Sequence, residues 1–373
     1  MAGSIMPRPA RNPRRFSRIS SKSGPPKPPR PRPNACACSN SCANILYAPF
    51  CDNDISLTIL SIINDISLCQ AILRKSAPGY TGDMTTEENY LTRNGHSTWY
   101  QVHGAEQPGT PLIVLHGGPG FPHNALRTHI ALAERGYPVV LYDQLGCGKS
   151  DRPDDPSLWT VEFFVEELEA LRQHLGYEVV NLIGGSWGGS LLFEYALKYP
   201  QYVHKLVAHS PLVDTHLWVA EADRLKDELP DGQGVRMREL ERRGETEGEE
   251  YTRLSDLFDD HFVLRVPKDQ DVLDAIAGMG AQVYHTMWGP SEAHATGNLK
   301  DWSVLDRLSQ ISQPTLLVSG RYDEATPRQM QEIVRRIPDI RWELFEHSSH
   351  SANLEEPEKF LRVVGEFLGE KGT

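Results

Sequence analysis

The residues best suited to chemistry are a serine, an aspartate and two histidines, spread over 165 positions of a 373-residue chain. Ser186 sits in Gly184-Gly185-Ser186-Trp187-Gly188. A serine hydroxyl is a weak nucleophile at its own pKa and needs a base, usually a histidine held by a buried carboxylate. Downstream, Gly320-Arg321-Tyr322-Asp323-Glu324 offers a carboxylate, and His347-Ser348-Ser349-His350 offers two imidazoles. Asp323 is the candidate acid. His350 lies deepest before the last helical segment and is the candidate base, with His347 as the competitor. The order serine, acid, histidine suits acyl transfer through a covalent intermediate. An oxyanion formed at such a site needs two N–H donors. The backbone of Trp187 is one candidate, and Gly118 in His116-Gly117-Gly118-Pro119-Gly120 is the other.

These groups work only if the backbone presents them together. Residues 179–183 form a short apolar run, and Leu191–Tyr199 has helical spacing ending at Pro200. That predicts strand, sharp turn and helix, with Ser186 at the apex. Glycines at 184 and 188 leave room where side chains would clash. Further strands are expected at Pro111–Leu115, Pro138–Tyr142, Lys205–Ala208, Pro314–Gly320 and Arg341–Phe345. Helical segments are expected at 124–135, Val161–Leu175 and Pro357–Leu368. Asn94-Gly95 between two β-like segments signals a hairpin. Strands alternating with helices imply a mostly parallel, doubly wound sheet. Residues 213–301 break the alternation. They are charged, helical in period and without a good strand, and are read as a cap inserted into a core made of 84–212 and 302–373.

Gly148-Lys149-Ser150 imitates the end of a phosphate-binding loop, but that motif needs glycine at 143, where this chain has Asp143. The preferred reading is a loop beside the active site.

Charge is unevenly spread. Residues 1–83 hold 11 Lys+Arg against 4 Asp+Glu, and the remainder holds 27 against 46. An acidic body argues against nucleic acid and anionic membrane as partners, and tolerates cationic substrates. Cysteines 36, 38, 42, 51 and 69 precede residue 84, and only Cys147 follows it. A body with one cysteine is not built on disulfides and fits a reducing, cytoplasmic compartment. The early cysteines lack zinc-site spacing.

Residues 1–33 hold nine prolines, nine Lys/Arg and no acid, which predicts disorder. Their Arg and Ser content is that of a mitochondrial presequence, but the prolines oppose the helix such a signal uses. The apolar stretch 55–73 carries Asn64-Asp65 at its centre, which is expensive in lipid. Met84 opens an ordinary-looking protein start, so 1–83 reads as a dispensable, low-complexity extension.

Several longer words resemble the proline iminopeptidase group of the α/β-hydrolases. They are His116 to Gly120, Asp143 to Ser150, Gly184 to Gly189, Gly320 to Pro327 and Ser348 to His350. Trp288-Gly289-Pro290-Ser291-Glu292 and Gly297 to Trp302 match in the inserted segment. The resemblance covers roughly 84–370. It implies the α/β-hydrolase fold, with Ser186 as nucleophile, Asp323 as acid and His350 as base. Gly118 and Trp187 would form the oxyanion hole, and Glu292 and Glu324 would hold the substrate's free α-amino group. The implied activity releases an N-terminal residue, preferably proline, from a small peptide or aminoacyl amide, with no metal or organic cofactor. The alternative is an amidase or esterase acting on a small or specialised metabolite. Residues 1–83 are foreign to the pattern, and His350-Ser351-Ala352-Asn353 lacks the apolar residues often found after that histidine.

Overall fold

The computed structural model describes residues 84–369. The expectations for 1–83 lie outside those residues. Eight strands form one sheet: β1 (Thr86–Arg93), β2 (His96–His103), β3 (Leu112–Leu115), β4 (Val139–Tyr142), β5 (Val180–Gly185), β6 (Val203–His209), β7 (Thr315–Gly320) and β8 (Ile340–Phe345). Their order across the sheet is β1-β2-β4-β3-β5-β6-β7-β8. The β1–β2 and β2–β4 pairs are antiparallel, and every pair from β4 to β8 is parallel.

The hairpin signal is met. Arg93 pairs with His96 across Asn94 and Gly95, both at positive φ. Two successive left-handed residues make the turn that suits strand twist.

Both faces of the central strands are buried, which is why they read as unbroken apolar runs. The side chains divide by parity. Leu112, Val114, Leu316 and Val318 join one core, while Ile113, Leu115 and Leu317 join the other. On the first face lie the 3₁₀ run His123–Arg135 and the helix Pro357–Gly369. On the second lie α1 (Val161–His174) and α2 (Trp187–Lys198). The segment 124–135 is helical, as expected, but coils as 3₁₀ rather than α. His129 Nδ1 bonds the Leu126 carbonyl at 2.8 Å, the acceptor an α-helix would offer to Ile130.

Between β6 and β7 lie five helices and no named strand: α3 (Thr215–Lys226), α4 (Gln233–Arg243), α5 (Glu249–Phe262), α6 (Gln270–Ala277) and α7 (Ala281–Met287). They meet the loops at the strands' C-terminal ends. Gly280 N–H donates to Gly120 O at 2.8 Å, and Gly148 N–H to Gly278 O at 2.9 Å. The sheet order turns back beside β3, with β4 on one side and β5 on the other. In open parallel sheets that switch leaves a crevice beyond the strand ends.

Candidate active site

Ser186 caps the crevice end of β5 with φ 54° and ψ −124°, a region that a non-glycine residue enters only under strain. Neighbouring glycines make the turn possible. A Cβ on Gly184 would lie 2.3 Å from Gly188 O, and one on Gly188 would lie 2.2 Å from Leu115 O. The flanking positions are equally tight: Gly185 abuts the His209 ring and Gly189 abuts Pro211. Strand and helix therefore approach closely enough to thrust Ser186 out of the sheet, half-buried.

Asp323 and His350 lie on the loops after β7 and β8, adjacent parallel strands. Gly320 admits no Cβ, because it would meet the Ser348 and Ser349 carbonyls at 2.3 and 2.2 Å, so the two loops pack backbone to backbone. The histidine loop is also pinned by Ser348 Oγ on Glu356 and Ser349 Oγ on Glu355, both at 2.6 Å. His350 Nδ1 donates to Asp323 Oδ1 at 2.8 Å, which leaves Nε2 able to accept a proton. His347, the competitor, is exposed. Asp323 also accepts the N–H of Ala325 at 2.7 Å and of Gly320 at 3.3 Å, and the Ser210 hydroxyl. Burial pulls the His350 pKa down. The charge of Asp323 and its hydrogen bond outweigh this, with help from Glu292 and Glu355, so it ends above its ordinary value.

Ser186 reaches this pair through β6. Its N–H donates to His209 O at 3.2 Å, and the next residue, Ser210, holds Asp323. No direct hydrogen bond joins Ser186 to His350 among the described residues. Such contacts are often long before substrate binds. Ser210 was not singled out in the sequence. The one available signal was a polar residue directly after a strand and before Pro211; its φ of 47° shows the kink that aims it.

Gly117 lies against Ser186: a Cβ there would be 3.3 Å from Ser186 Cβ and 3.9 Å from Ser186 Oγ. Gly118 follows at φ 106°, joined to Pro119 by a cis peptide bond. Trp187 is the first residue of α2, where backbone N–H groups have no partner inside the helix. Its indole donates to Gln144 Oε1 at 2.8 Å. Gln144 N–H donates to His116 Nε2 at 2.8 Å, and its side chain donates to His116 O at 3.1 Å. One residue thus fastens the loops after β3, β4 and β5. Accepting at Nε2 makes His116 a neutral ring protonated at Nδ1. Burial agrees, pushing its pKa down to about 4.

His116, Asp143 and Cys147 bring donor atoms within 4.8 Å of one another. These donors are already engaged. Asp143 takes the N–H of His123 at 2.8 Å and of Lys149 at 2.9 Å. The aspartate that spoils the phosphate-loop motif is thus what shapes this loop.

The two glutamates differ. Glu292 is half-buried and accepts from Tyr284 OH at 2.7 Å. Glu324 has no solvent exposure, and neither carboxylate oxygen has a hydrogen-bond partner. Burial, then the charges of Glu292, Asp259 and Asp323, push its pKa well above the usual carboxylate range. His350 Nδ1 is 3.9 Å from Glu324 Oε1. A strained serine, a carboxylate-held imidazole and a buried carboxyl without partners suit acyl transfer on a substrate bearing a cation.

The family described as alpha/beta hydrolase fold matches residues 110–357. A proline iminopeptidase of Heyndrickxia coagulans is 39% identical over 283 residues, 75% of this chain and 98% of that protein. One of Saccharolobus solfataricus is 36% identical over 293 residues, 78% of this chain and 94% of that protein. Among solved structures, VinJ superposes with a TM-score of 0.73 at 37% identity, over 76% of this chain and 98% of that one. The proline iminopeptidase of Mycobacterium smegmatis gives 0.70 at 38% identity, over 76% and 97%. Among the described residues no helix is long and apolar enough to cross a membrane. The chain belongs to the alpha/beta hydrolases and, within them, to the proline iminopeptidase family.

Proposed function

We propose that this enzyme is a serine aminopeptidase that releases an N-terminal residue, preferably proline, from small peptides or aminoacyl amides with a free amine. Ser186 Oγ attacks the carbonyl carbon of the first residue while His350 Nε2 takes its proton. Asp323 holds the ring and stabilises the imidazolium. The backbone N–H groups of Gly118 and Trp187 receive the oxyanion. As the C–N bond breaks, His350 returns the proton to the leaving amine. Water then attacks the ester on Ser186, again giving its proton to His350, and the free residue departs. Glu292 and Glu324 hold the substrate's ammonium group. The helices in 213–301 act as a cap that brings Glu292 over the strand ends and excludes water.

One observation carries the amine reading. Glu324 is wholly buried, next in chain to Asp323, and both its oxygens lack hydrogen bonds. A carboxyl buried without partners resists ionising, and an incoming cation removes the cost of its charge.

The test compares L-prolyl and L-alanyl p-nitroanilides with their N-acetyl forms. Acetylation removes the charge, and loss of a buried charge partner costs about 2–5 kcal/mol. The expected fall in kcat/KM is therefore roughly 30-fold or more. Equal turnover of both forms would overturn the peptidase reading.

A further inference from the structure

Gln144 stands just past β4, where the loops after β3 and β5 also end. Its side-chain oxygen accepts the Trp187 indole N–H at 2.8 Å, and its side-chain amide donates to His116 O at 3.1 Å. Its backbone is tied independently. The Gln144 N–H donates to His116 Nε2 at 2.8 Å, and the Gln144 carbonyl accepts the Cys147 thiol at 3.3 Å. The next residue, Leu145, donates its N–H to Glu167 Oε1 on α1 at 3.0 Å, an oxygen that also takes the Thr98 hydroxyl at 2.6 Å. Gln144, His116 and Trp187 are all buried, so water does not compete for these bonds.

The side chain therefore spans a set gap, and that gap lies between the two oxyanion donors. His116 stands two residues before Gly118, and Trp187 carries the other donor on its own backbone. The pairing of β3 with β5 ends at Leu115 and Gly184. Beyond that point the strand ladder no longer sets the distance between the two turns. An amide can accept from one turn and donate to the other at once, which neither a carboxylate nor an alkyl chain can do.

We infer that Gln144 is a positioning residue for the oxyanion hole, holding the Gly118 and Trp187 turns at the separation a tetrahedral intermediate requires. It touches no reacting atom. The inference rests on the serine mechanism proposed above and adds to it the part that spaces the donors. Such donors work because they are set before charge develops, and a displacement of about 1 Å costs on the order of 10²-fold in rate. Every acyl substrate passes through an oxyanion, so the loss falls on kcat whatever the substrate's amine.

The experiment uses the full chain with Gln144→Met, Gln144→Glu, Trp187→Phe and the double variant Q144M/W187F. Each is assayed on L-prolyl p-nitroanilide and on the uncharged ester p-nitrophenyl acetate. Q144M is expected to lose roughly 10²-fold in kcat on both, with the prolyl KM within about threefold of wild type. W187F breaks the same bridge from its other end, so the double variant stays within about threefold of the worse single one. A protonated glutamate at 144 can donate to His116 O and accept from Trp187, as the amide does; once ionised it only accepts. The titratable groups around it are His116, His123, Asp143, Cys147 and Glu167. Burial and the two neighbouring acids raise the new carboxyl into the range between about pH 5 and 9. Across that range the kcat of Q144E relative to wild type should fall about tenfold or more as pH rises. A wild-type kcat in folded Q144M, losses that multiply in the double variant, or a flat Q144E ratio each overturn the inference. Should Q144M fail to fold, the Q144E ratio decides alone. Ser186→Ala is assayed beside them. If it keeps wild-type turnover, the serine mechanism itself has failed; if it is inactive and Q144M keeps the wild-type kcat, only the role of Gln144 has.

Discussion

Asp323 and Glu324 follow one another on the loop after β7, and both are cut off from solvent. Asp323 accepts from His350, Ser210, Ala325 and Gly320. Glu324 accepts from nothing. The first carboxylate is finished before any substrate arrives, so its orientation and that of His350 are fixed in advance. That is how a positioned base must be built, since reorganisation during reaction costs rate. The second is left incomplete, and in the proposed reading a ligand completes it. The same division runs through the whole site. The strand-end half is tight, backbone-defined and hydrogen-bonded, whereas the half facing the inserted helices keeps a buried carboxyl without partners.

The comparison breaks most visibly at the nucleophile. Ser186→Ala removes the attacking atom but none of the unpaired acids. Steady-state assays should show kcat falling on the order of 10⁴–10⁶-fold, with thermal unfolding unchanged. Retained turnover would show that the finished half does no chemistry.

The acid limb probes both halves together. His350 must be neutral to accept a proton, and its pKa lies above the ordinary 6.5. Glu292 and Glu324 are also raised, chiefly by burial, and in the proposed reading must be ionised to hold an ammonium. Activity is thus present at alkaline pH and lost as pH falls through neutrality. The kcat/KM profile should drop by about tenfold or more per unit below the apparent pKa.

Gly185→Ala tests the tight half without touching a reacting group. The new Cβ would fall 2.0 Å from the His209 ring. Overpacking of this kind costs about 1–3 kcal/mol, visible as a Tm lowered by several degrees.

His129 and His209 lie buried beneath the elbow, each with an unpartnered ring nitrogen. Burial lowers both, His129 to about 4 and His209 well below its ordinary value. The unfolded chain therefore binds more protons below pH 6.5. Stability is complete above that value and falls as pH drops toward 4. Unfolding free energies from urea titrations at pH 7.5 and 5 should differ by about 1–2 kcal/mol per histidine.

The smallest effect concerns the open half. Tyr284→Phe removes the hydroxyl on Glu292 and leaves Glu324 untouched. A single lost hydrogen bond to a charged group is worth about 1.5–3 kcal/mol at most, less where solvent reaches it. The expected result is a prolyl KM several-fold higher with kcat nearly constant.

How much of this was legible in the sequence follows the same division. The elbow was, because glycines at fixed spacing around Ser186 answer a local steric demand. Asp323 and His350 were placed by strand ends and chain order. Glu292 and Glu324 needed a family resemblance, since nothing local separates a buried glutamate from an exposed one. Ser210 escaped. The 3₁₀ coiling of His123–Arg135 escaped as well, because apolar spacing over a few turns does not separate 3₁₀ from α. The calm alternation of strands and helices was readable because burial on both sheet faces leaves apolar runs.

The most direct measurement sets Asp323→Asn beside Glu324→Gln on two substrates, L-prolyl p-nitroanilide and p-nitrophenyl acetate. D323N should lose about 10³–10⁴-fold in kcat on both, because the imidazole is no longer held in its working tautomer. E324Q should lose roughly 30-fold or more in kcat/KM on the prolyl substrate alone, and turn over the ester as wild type does. Parallel losses on both substrates in both variants would contradict the account, for the two adjacent carboxylates would then share one task.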